Sequence, residues 1–422
     1  MDRRSFASRV SQLALGGFLA PGAEPSNWAS WIADPATPEY WQKIRAEFLI
    51  PGDVAYLNNG SLGLSPRMVI EAMYRHLIET ESVTSRKYPE YPWWGYGATL
   101  DIRRSVADFV GATAEEIALT RSATEAMNTV AAGLDLSPQD EVLISSQEHP
   151  GGRSAWDQRA RRHGIAVREF QLPLPPKSTA EIIGCLESAI TGRTRVISVS
   201  HITTVTGGIL PVKEISEIAR RRGIITLIDG AHAIGQLPLD LHDIGCDYYA
   251  ASPHKWLYAP KGTGFLYCRS GMAERLWCHT ASGTWGQREL GCERLTNIGT
   301  SNLTLLVGLT AAMDFHKRIG MSRIVEREQH LARMLRARLG EIPGVWFGNG
   351  APPELSMAMV KAMLPVQKIG AFAQQLWNDH KIWLTTAEGD GKVPASIRFS
   401  CPVYVTESDL DRALELLKKH LA

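Results

Sequence analysis

Lys255 stands between a short apolar run and a glycine-bearing turn, in Ser252-Pro253-His254-Lys255-Trp256 followed by Ala259-Pro260-Lys261-Gly262-Thr263-Gly264. A lysine at the end of a covered strand loses part of its hydration, which lowers its pKa. The neutral amine is the form that adds to an aldehyde to make a Schiff base. Taken alone, the same lysine also reads as a surface residue at a strand end. Upstream, Asp229-Gly230-Ala231-His232 closes another apolar run. A carboxylate there suits a protonated ring nitrogen, which lets a ring accept electrons. The carboxyl end of a strand is where α/β sheets build their sites. A helix-capping aspartate is the ordinary alternative.

Two further pieces precede these. Arg121-Ser122-Ala123-Thr124-Glu125-Ala126 puts small residues ahead of a helix expected to start near Thr124. Free N–H groups and the positive end of the helix dipole suit a phosphate there, although a Ser/Thr cap alone has the same appearance. Glu148-His149-Pro150 follows another apolar run. The imidazole of His149 can stack on a flat cofactor, or serve as a satisfied polar residue.

The elements that must position these residues are legible from hydrophobic patterning. Residues 141–146, 195–200, 224–229 and 264–268 are apolar, β-rich runs without polar alternation, as expected for strands covered on both faces. Amphipathic helices are expected between them, over 124–134 and 211–222. This alternation predicts an α/β layer with a mostly parallel sheet. After about residue 305 the texture changes to long helices over 307–319 and 322–339, then short strands including 396–400. A last helix over 407–420 opens behind Thr406 as its N-cap. A smaller α+β domain is expected there.

Composition narrows the function. Lys and Arg number 45 against 44 Asp and Glu, with no basic stripe, so nucleic-acid binding has no electrostatic support. The six cysteines form no C-x-x-C pair and do not cluster with histidine at ligand spacing, so no metal site is indicated. The N-terminus differs in kind. Arg3-Arg4-Ser5-Phe6, a weakly apolar stretch over 10–20 and Pro21-Gly22-Ala23 resemble a twin-arginine export signal over residues 1–23. The apolar stretch is too short for a membrane anchor. A periplasmic or exported location is expected on this reading, and a cytoplasmic one if the arginines are coincidental.

These pieces, in this order, resemble the class V aminotransferase family, which also holds cysteine desulfurases and kynureninases. Asp229-Gly230-Ala231-His232-Ala233, His254-Lys255-Trp256, Ala259-Pro260-Lys261-Gly262 and the early Leu57-Asn58-Asn59-Gly60-Ser61-Leu62-Gly63 are most similar to its isopenicillin N epimerase-like branch. The resemblance runs from about residue 54 to the C-terminus. It implies the aspartate-aminotransferase fold and the cofactor pyridoxal 5′-phosphate (PLP). The implied organisation is an N-terminal segment over 24–65 packing with the small domain, a large PLP-binding domain over 66–305 and a small domain over 306–422. Lys255 would carry the cofactor and shuttle the Cα proton, Asp229 would pair the ring nitrogen, and His149 would stack on the ring. His232 would sit beside the phenolic oxygen. Ala123, Thr124, Ser252 and His254 would bind the phosphate. Thr300, in Gly299-Thr300-Ser301-Asn302, would reach the partner subunit's cofactor, which implies a homodimer. Arg398, with Asn59, would hold a substrate carboxylate, because a guanidinium offers two parallel donors.

Two departures bear on the reaction. The stretch 381–392, where desulfurases carry a nucleophilic cysteine before that arginine, has none, and Cys401 follows Arg398 instead. Persulfide chemistry is therefore not expected. Thr204 of His201-Ile202-Thr203-Thr204 stands where the family often has an asparagine that binds carboxylate. The substrate is expected to be a small amino acid or an amino-acid unit of a peptide, with an epimerase, aminotransferase or lyase outcome. Export would favour tailoring of a siderophore or other peptide natural product. The runner-up class is a PLP-binding sensor without turnover. The aromatic stretch 88–94 is either the rim of a substrate mouth or a packed loop.

Overall fold

The computed structural model describes residues 37–82, 96–348 and 355–421. The leader at 1–23 and the aromatic stretch 88–94 lie outside the described residues. The chain divides into two compact units, Met1–Lys43 and Ile44–Ala422. In the described part of the first, Tyr40 and Trp41 meet edge to face, with ring centroids 5.0 Å apart.

The second unit is α/β. Its strands are β1 (Ala55–Tyr56), β2 (Ile117–Thr120), β3 (Glu141–Ser145), β4 (Ala166–Phe170), β5 (Thr194–Ser200), β6 (Ile225–Asp229), β7 (Tyr248–Ala251), β8 (Gly264–Cys268), β9 (Trp346–Phe347), β10 (Met359–Met363), β11 (Ile382–Trp383), β12 (Thr385–Ala387) and β13 (Ser396–Ser400). Seven form one sheet in the order β2-β8-β7-β6-β5-β3-β4. Only β8 runs against its neighbours, so the other six end on the same edge. A second, four-stranded antiparallel sheet has the order β12-β13-β10-β9. The short β1 pairs in parallel with β11.

The apolar runs behave as their composition demands. β3 and β8 are buried along their whole length, and β6 is buried except at its first residue, as strands covered on both faces should be. The helix Val212–Arg221 buries Val212, Ile215, Ile218 and Ala219, one stripe of a 3.6-residue period. Trp156 and the helix Ala123–Gly133 fill the core beside the sheet. The final helix, Glu407–Leu421, is capped by Thr406, whose hydroxyl accepts the Asp409 N–H at 3.2 Å.

Four strands of the large sheet match the runs read from sequence to within one residue; β7 was expected ahead of Lys255 but without bounds, and β2 and β4 were not anticipated. β2 and β7 have four residues each, too few for a period to emerge. β4 lies at the sheet edge with Arg168 and Glu169 exposed, which breaks its apolar signal. The helices Leu303–Ile319 and Met321–Gly340 begin four residues and one residue earlier than expected. In the first case the Asn302 side chain caps Leu305, so the helix opens behind an N-cap that hydrophobic periodicity does not register.

The turn after β6 depends on the absence of a side chain at Gly230. A Cβ there would lie 1.9 Å from the ring of the fully buried Tyr249. Replacing Gly230 with alanine is expected to cost about 3 kcal/mol or more, the scale of overpacking in a rigid core. A thermal melt would show a lowered midpoint, and an unshifted one would mean that the turn adjusts freely.

Candidate active site

Five of the parallel strands deliver residues to the shared edge. β2 leads into Ser122, Ala123 and Thr124; β3 is followed by His149; β5 ends at Ser200; β6 ends at Asp229; and β7 is followed by Ser252, His254 and Lys255. Arg398 arrives from β13 of the second sheet, with Thr385 from β12. All of these side chains, with Gly60, Ser61, Ile202, Thr204 and His232 among others, line one cavity of about 410 Å³. A crevice at the carboxyl ends of parallel strands is the general place for a ligand in such sheets.

Lys255 and His232 define the reactive end. Lys255 Nζ lies 3.0 Å from His232 Nε2. The indole N–H of Trp256 donates to His232 Nδ1 at 3.2 Å. An indole only donates, so Nδ1 must be the unprotonated nitrogen and a neutral ring carries its proton on Nε2. That N–H then points at Lys255 Nζ, which accepts it only as a neutral amine. The electrostatics agree. Burial, then the neighbouring Lys255 and Arg398, hold the His232 imidazolium well below its usual range. Burial lowers Lys255 to about 8, with Arg398 acting in the same direction and Asp229 opposing. A lysine poised near neutrality is a nucleophile and a base.

Asp229 is buried and oriented. Its Oδ1 accepts the Ala231 N–H at 3.0 Å. Its Oδ2 would be 3.6 Å from a Cβ at Gly152, so glycine keeps that side open. Behind it, Glu148 receives the hydroxyls of Ser145 and, at 2.7 Å, of Ser200. Burial raises the Glu148 carboxyl to about 7, the two hydroxyls work against this, and Asp229 adds to it. His149 caps the helix Pro150–His163, its Nδ1 accepting the Gly151 N–H at 3.0 Å. Burial, and then Lys255, lower the His149 pKa.

The opposite end suits an anion. Ser122 caps the helix Ala123–Gly133, and Ser252 Oγ accepts the Ala123 N–H at 2.8 Å. Thr124 is the second residue of that helix, where backbone N–H groups have no intrahelical partner. His254 Nδ1 is buried on the cavity wall without a hydrogen-bond partner among the described residues. An unsatisfied buried nitrogen beside a helix N-terminus fits a phosphate. With an oriented carboxylate and a readily deprotonated amine in the same cavity, the residues fit PLP at its phosphate, its ring nitrogen and its aldehyde.

Arg398 is held by neutral oxygens. Its NH1 donates to the Thr204 carbonyl at 2.9 Å, and its NH2 donates to Ser61 Oγ at 2.8 Å and Thr385 Oγ1 at 3.4 Å. The expected second carboxylate ligand, Asn59, is a correction. It is fully buried, accepts the Tyr404 hydroxyl at 2.9 Å and does not line the cavity, whereas Gly60 and Ser61 do. Adjacent residues point in different directions in this turn, so a one-residue difference exchanges a core contact for a site contact. Thr300 is exposed and outside the cavity of its own chain. Among the described residues, no group of three His, Cys, Asp or Glu side chains is arranged to hold a metal ion, and no helix is long and apolar enough to cross a membrane.

The residues that sequence reasoning missed are Trp256 as the group that sets the His232 tautomer, Glu148 and Ser200 behind Asp229, and Ser61 and Thr385 on Arg398. Ser61 lies inside a run already singled out; Ser200 and Thr385 carry no local signal.

The seven-stranded sheet and this lysine–aspartate cavity define a PLP enzyme of the aspartate-aminotransferase fold. Residues 55–413 match the family described as Aminotransferase class-V. The chain belongs to that family, whose cofactor is PLP. It is 35% identical over 397 residues to an isopenicillin N epimerase of Streptomyces clavuligerus, covering 89% of this chain and 97% of that protein. It is 30% identical over 404 residues to a cysteine desulfurase of Yersinia pestis (strain Pestoides F), covering 90% and 97%. Among solved structures it is similar to a variant of C-DES with glycine covalently linked to its PLP cofactor, at 26% identity and a TM-score of 0.76, over 89% of this chain and 98% of that one.

The lowered Lys255 pKa carries a pH prediction. Only the neutral amine captures an aldehyde, so capture is slow where Lys255 is protonated. With its pKa at about 8, the rate of PLP capture by apoprotein should rise roughly tenfold from pH 6 to 7 and level off above about 8. Stopped-flow absorbance would follow it, and a flat profile over this range would contradict the assignment.

Proposed function

We propose that this chain acts at the Cα of an amino acid, or of an amino-acid unit in a peptide, and that it withdraws and returns the Cα proton as an epimerase. The observation that carries this reading is Lys255 Nζ held 3.0 Å from His232 Nε2 in the same cavity as Arg398. The likeness to isopenicillin N epimerase supports it.

PLP, when bound, supplies an electron sink that stabilises negative charge at a substrate carbon. Lys255 would hold it, Asp229 would keep a proton on its ring nitrogen, and His149 would cover one face. Ala123, Thr124, Ser252 and His254 would take its phosphate. The chain's own groups do the rest. Arg398 anchors the substrate carboxylate and so selects the bond that stands ready to break. Lys255 Nζ takes the proton from Cα, and a solvent-derived proton delivered to the opposite face would complete the inversion. His232, locked by Trp256, donates through Nε2 and cannot compete as a base.

Persulfide chemistry fits these residues poorly. Cys401 is fully buried, its thiol is pushed up to about 12 chiefly by burial, and no cysteine lines the cavity. A thiol in that state is a poor nucleophile. A homodimer with Thr300 reaching the partner's cofactor belongs to the same proposal, supported by the exposure of Thr300.

The test is incubation with an amino-acid and peptide panel in D2O. Deuterium at Cα with both configurations recovered is the expected product. A keto acid as the main product would replace epimerisation by transamination, and loss of a β-substituent would replace it by elimination.

A further inference from the structure

Three consecutive residues after β3 each hold a different part of the site. His149 caps its helix, Glu148 receives the Ser200 hydroxyl, and Gln147 reaches the segment 201–210 that follows β5. That segment leaves the sheet and returns to it. His201 donates its N–H to the Asp229 carbonyl at 2.9 Å, Ile202 bridges Ile209, and the Leu210 N–H comes back to the His201 carbonyl at 2.8 Å. At the tip, the Thr203 N–H meets the Gly208 carbonyl at 2.9 Å. Gly207, with φ at +78°, donates to the Thr203 carbonyl at 2.8 Å.

Neighbouring residues of this turn divide between two environments. Thr204 lines the cavity, and its carbonyl and hydroxyl are the partners of Arg398 NH1 among the described residues, at 2.9 and 3.3 Å. Thr203 and Thr206 are buried and, like Gln147, stand outside the cavity wall. The Thr206 hydroxyl donates to Gln147 Oε1 at 2.7 Å, which uses its single proton. Thr203 Oγ1, 2.8 Å from Thr206 Oγ1, is therefore the donor of that pair. The Gly208 N–H points at both oxygens, at 3.3 Å each. The hydrogen bonds run in one direction, from Thr203 to Thr206 to Gln147.

A backbone carbonyl cannot turn without its chain. The direction of the Thr204 carbonyl, and with it the plane of the Arg398 guanidinium, depends on the shape of this turn. Without the Thr206 hydroxyl, Gln147 Oε1 loses its donor and Thr203 its acceptor, both in a buried setting where unpaired polar groups are costly. The turn then relaxes and releases the carbonyl.

We infer that Gln147 and Thr206 are positioning residues for the carboxylate subsite, fixing the turn whose Thr204 carbonyl aims Arg398. This rests on the reading of Arg398 as the anchor of a substrate carboxylate.

The experiment titrates holoenzyme with L-alanine and L-norleucine, each against its own α-amide, and the change in cofactor absorbance reads binding. A charge-assisted contact predicts that the unaltered protein prefers acid over amide by about 10- to 100-fold. Thr206→Val and Gln147→Met should each cut that preference by about tenfold, with the amides bound as before. Thr206→Ser keeps the hydroxyl and should keep the preference. Comparing variants cancels the different basicities of the two amines, and the ratio on one preparation is insensitive to any unfolded fraction. A purely structural role would lower the melting midpoint and weaken acid and amide alike. An undiminished preference in both Thr206→Val and Gln147→Met, or an equal loss in Thr206→Ser, overturns the inference and leaves Arg398 as the anchor. Equal binding of acid and amide by the unaltered protein, or no spectral response to any of the four ligands, removes the reading of Arg398 itself, and this inference falls with it.

Discussion

Replacing Lys255 with alanine is expected to abolish the covalent, borohydride-reducible attachment of the cofactor to the chain and to lower turnover by roughly 10⁴-fold or more, since one side chain supplies both the covalent anchor and the proton carrier. No other amine can substitute. The nearby lysine in sequence, Lys261, lines no part of the cavity wall, and Arg398 keeps its proton. The histidines in reach are imidazoles, and His232 is committed to Trp256 through Nδ1. Lys255→Arg keeps the charge and should be as inactive, because a guanidinium does not deprotonate to a free nucleophile. The protein mass after borohydride reduction and deuterium incorporation at Cα are the two measurements. A Lys255→Ala protein to which reduction still fixes the cofactor would remove the assignment.

Asp229→Asn should lower kcat/KM by roughly 10²- to 10³-fold, the scale of one lost charge–dipole contact to a reacting system. The substitution is nearly isosteric, and its amide oxygen can still accept the Ala231 N–H that now orients Asp229. Shape is preserved and the negative charge is not, so the loss isolates the electrostatic role. A neutral amide cannot hold a proton on a ring nitrogen, and the electron sink weakens. Asp229→Ala would in addition open space beside Gly152 and Met127. Cofactor binding judged by absorbance should persist in Asp229→Asn while the chemical step slows. A rate within threefold of the unaltered protein would mean that the carboxylate is structural.

The two variants also separate roles that lie close together. Lys255 is positioned by the turn after β7, and Asp229 by the end of β6, which is hydrogen-bonded to β5 and β7 on either side. Asp229→Asn should therefore lose activity without losing the fold, because the strand itself remains paired.

The sequence alone determined the fold class and singled out the candidate site residues. Apolar, β-rich runs without alternation fit strands buried on both faces, and a sheet of such strands with intervening helices is parallel. Asp229 ends one of these runs and Lys255 follows a shorter apolar stretch, so both fall where strand carboxyl ends build a site. Local signals also identified Thr406 as a helix cap and the small residues at 122–124 as the opening of a helix.

The tertiary structure alone decided the rest, because those features depend on distance across elements and on orientation within a turn. Nothing local distinguishes Asn59, which turns into the core toward Tyr404, from Ser61, which faces Arg398. The tautomer of His232 depends on an indole 24 residues further on. The pairing of Lys361 with Arg398 depends on the register of two strands 37 residues apart. A side chain's partner across a sheet is fixed by hydrogen bonding between strands, and the period of a single strand carries no record of which residue that will be.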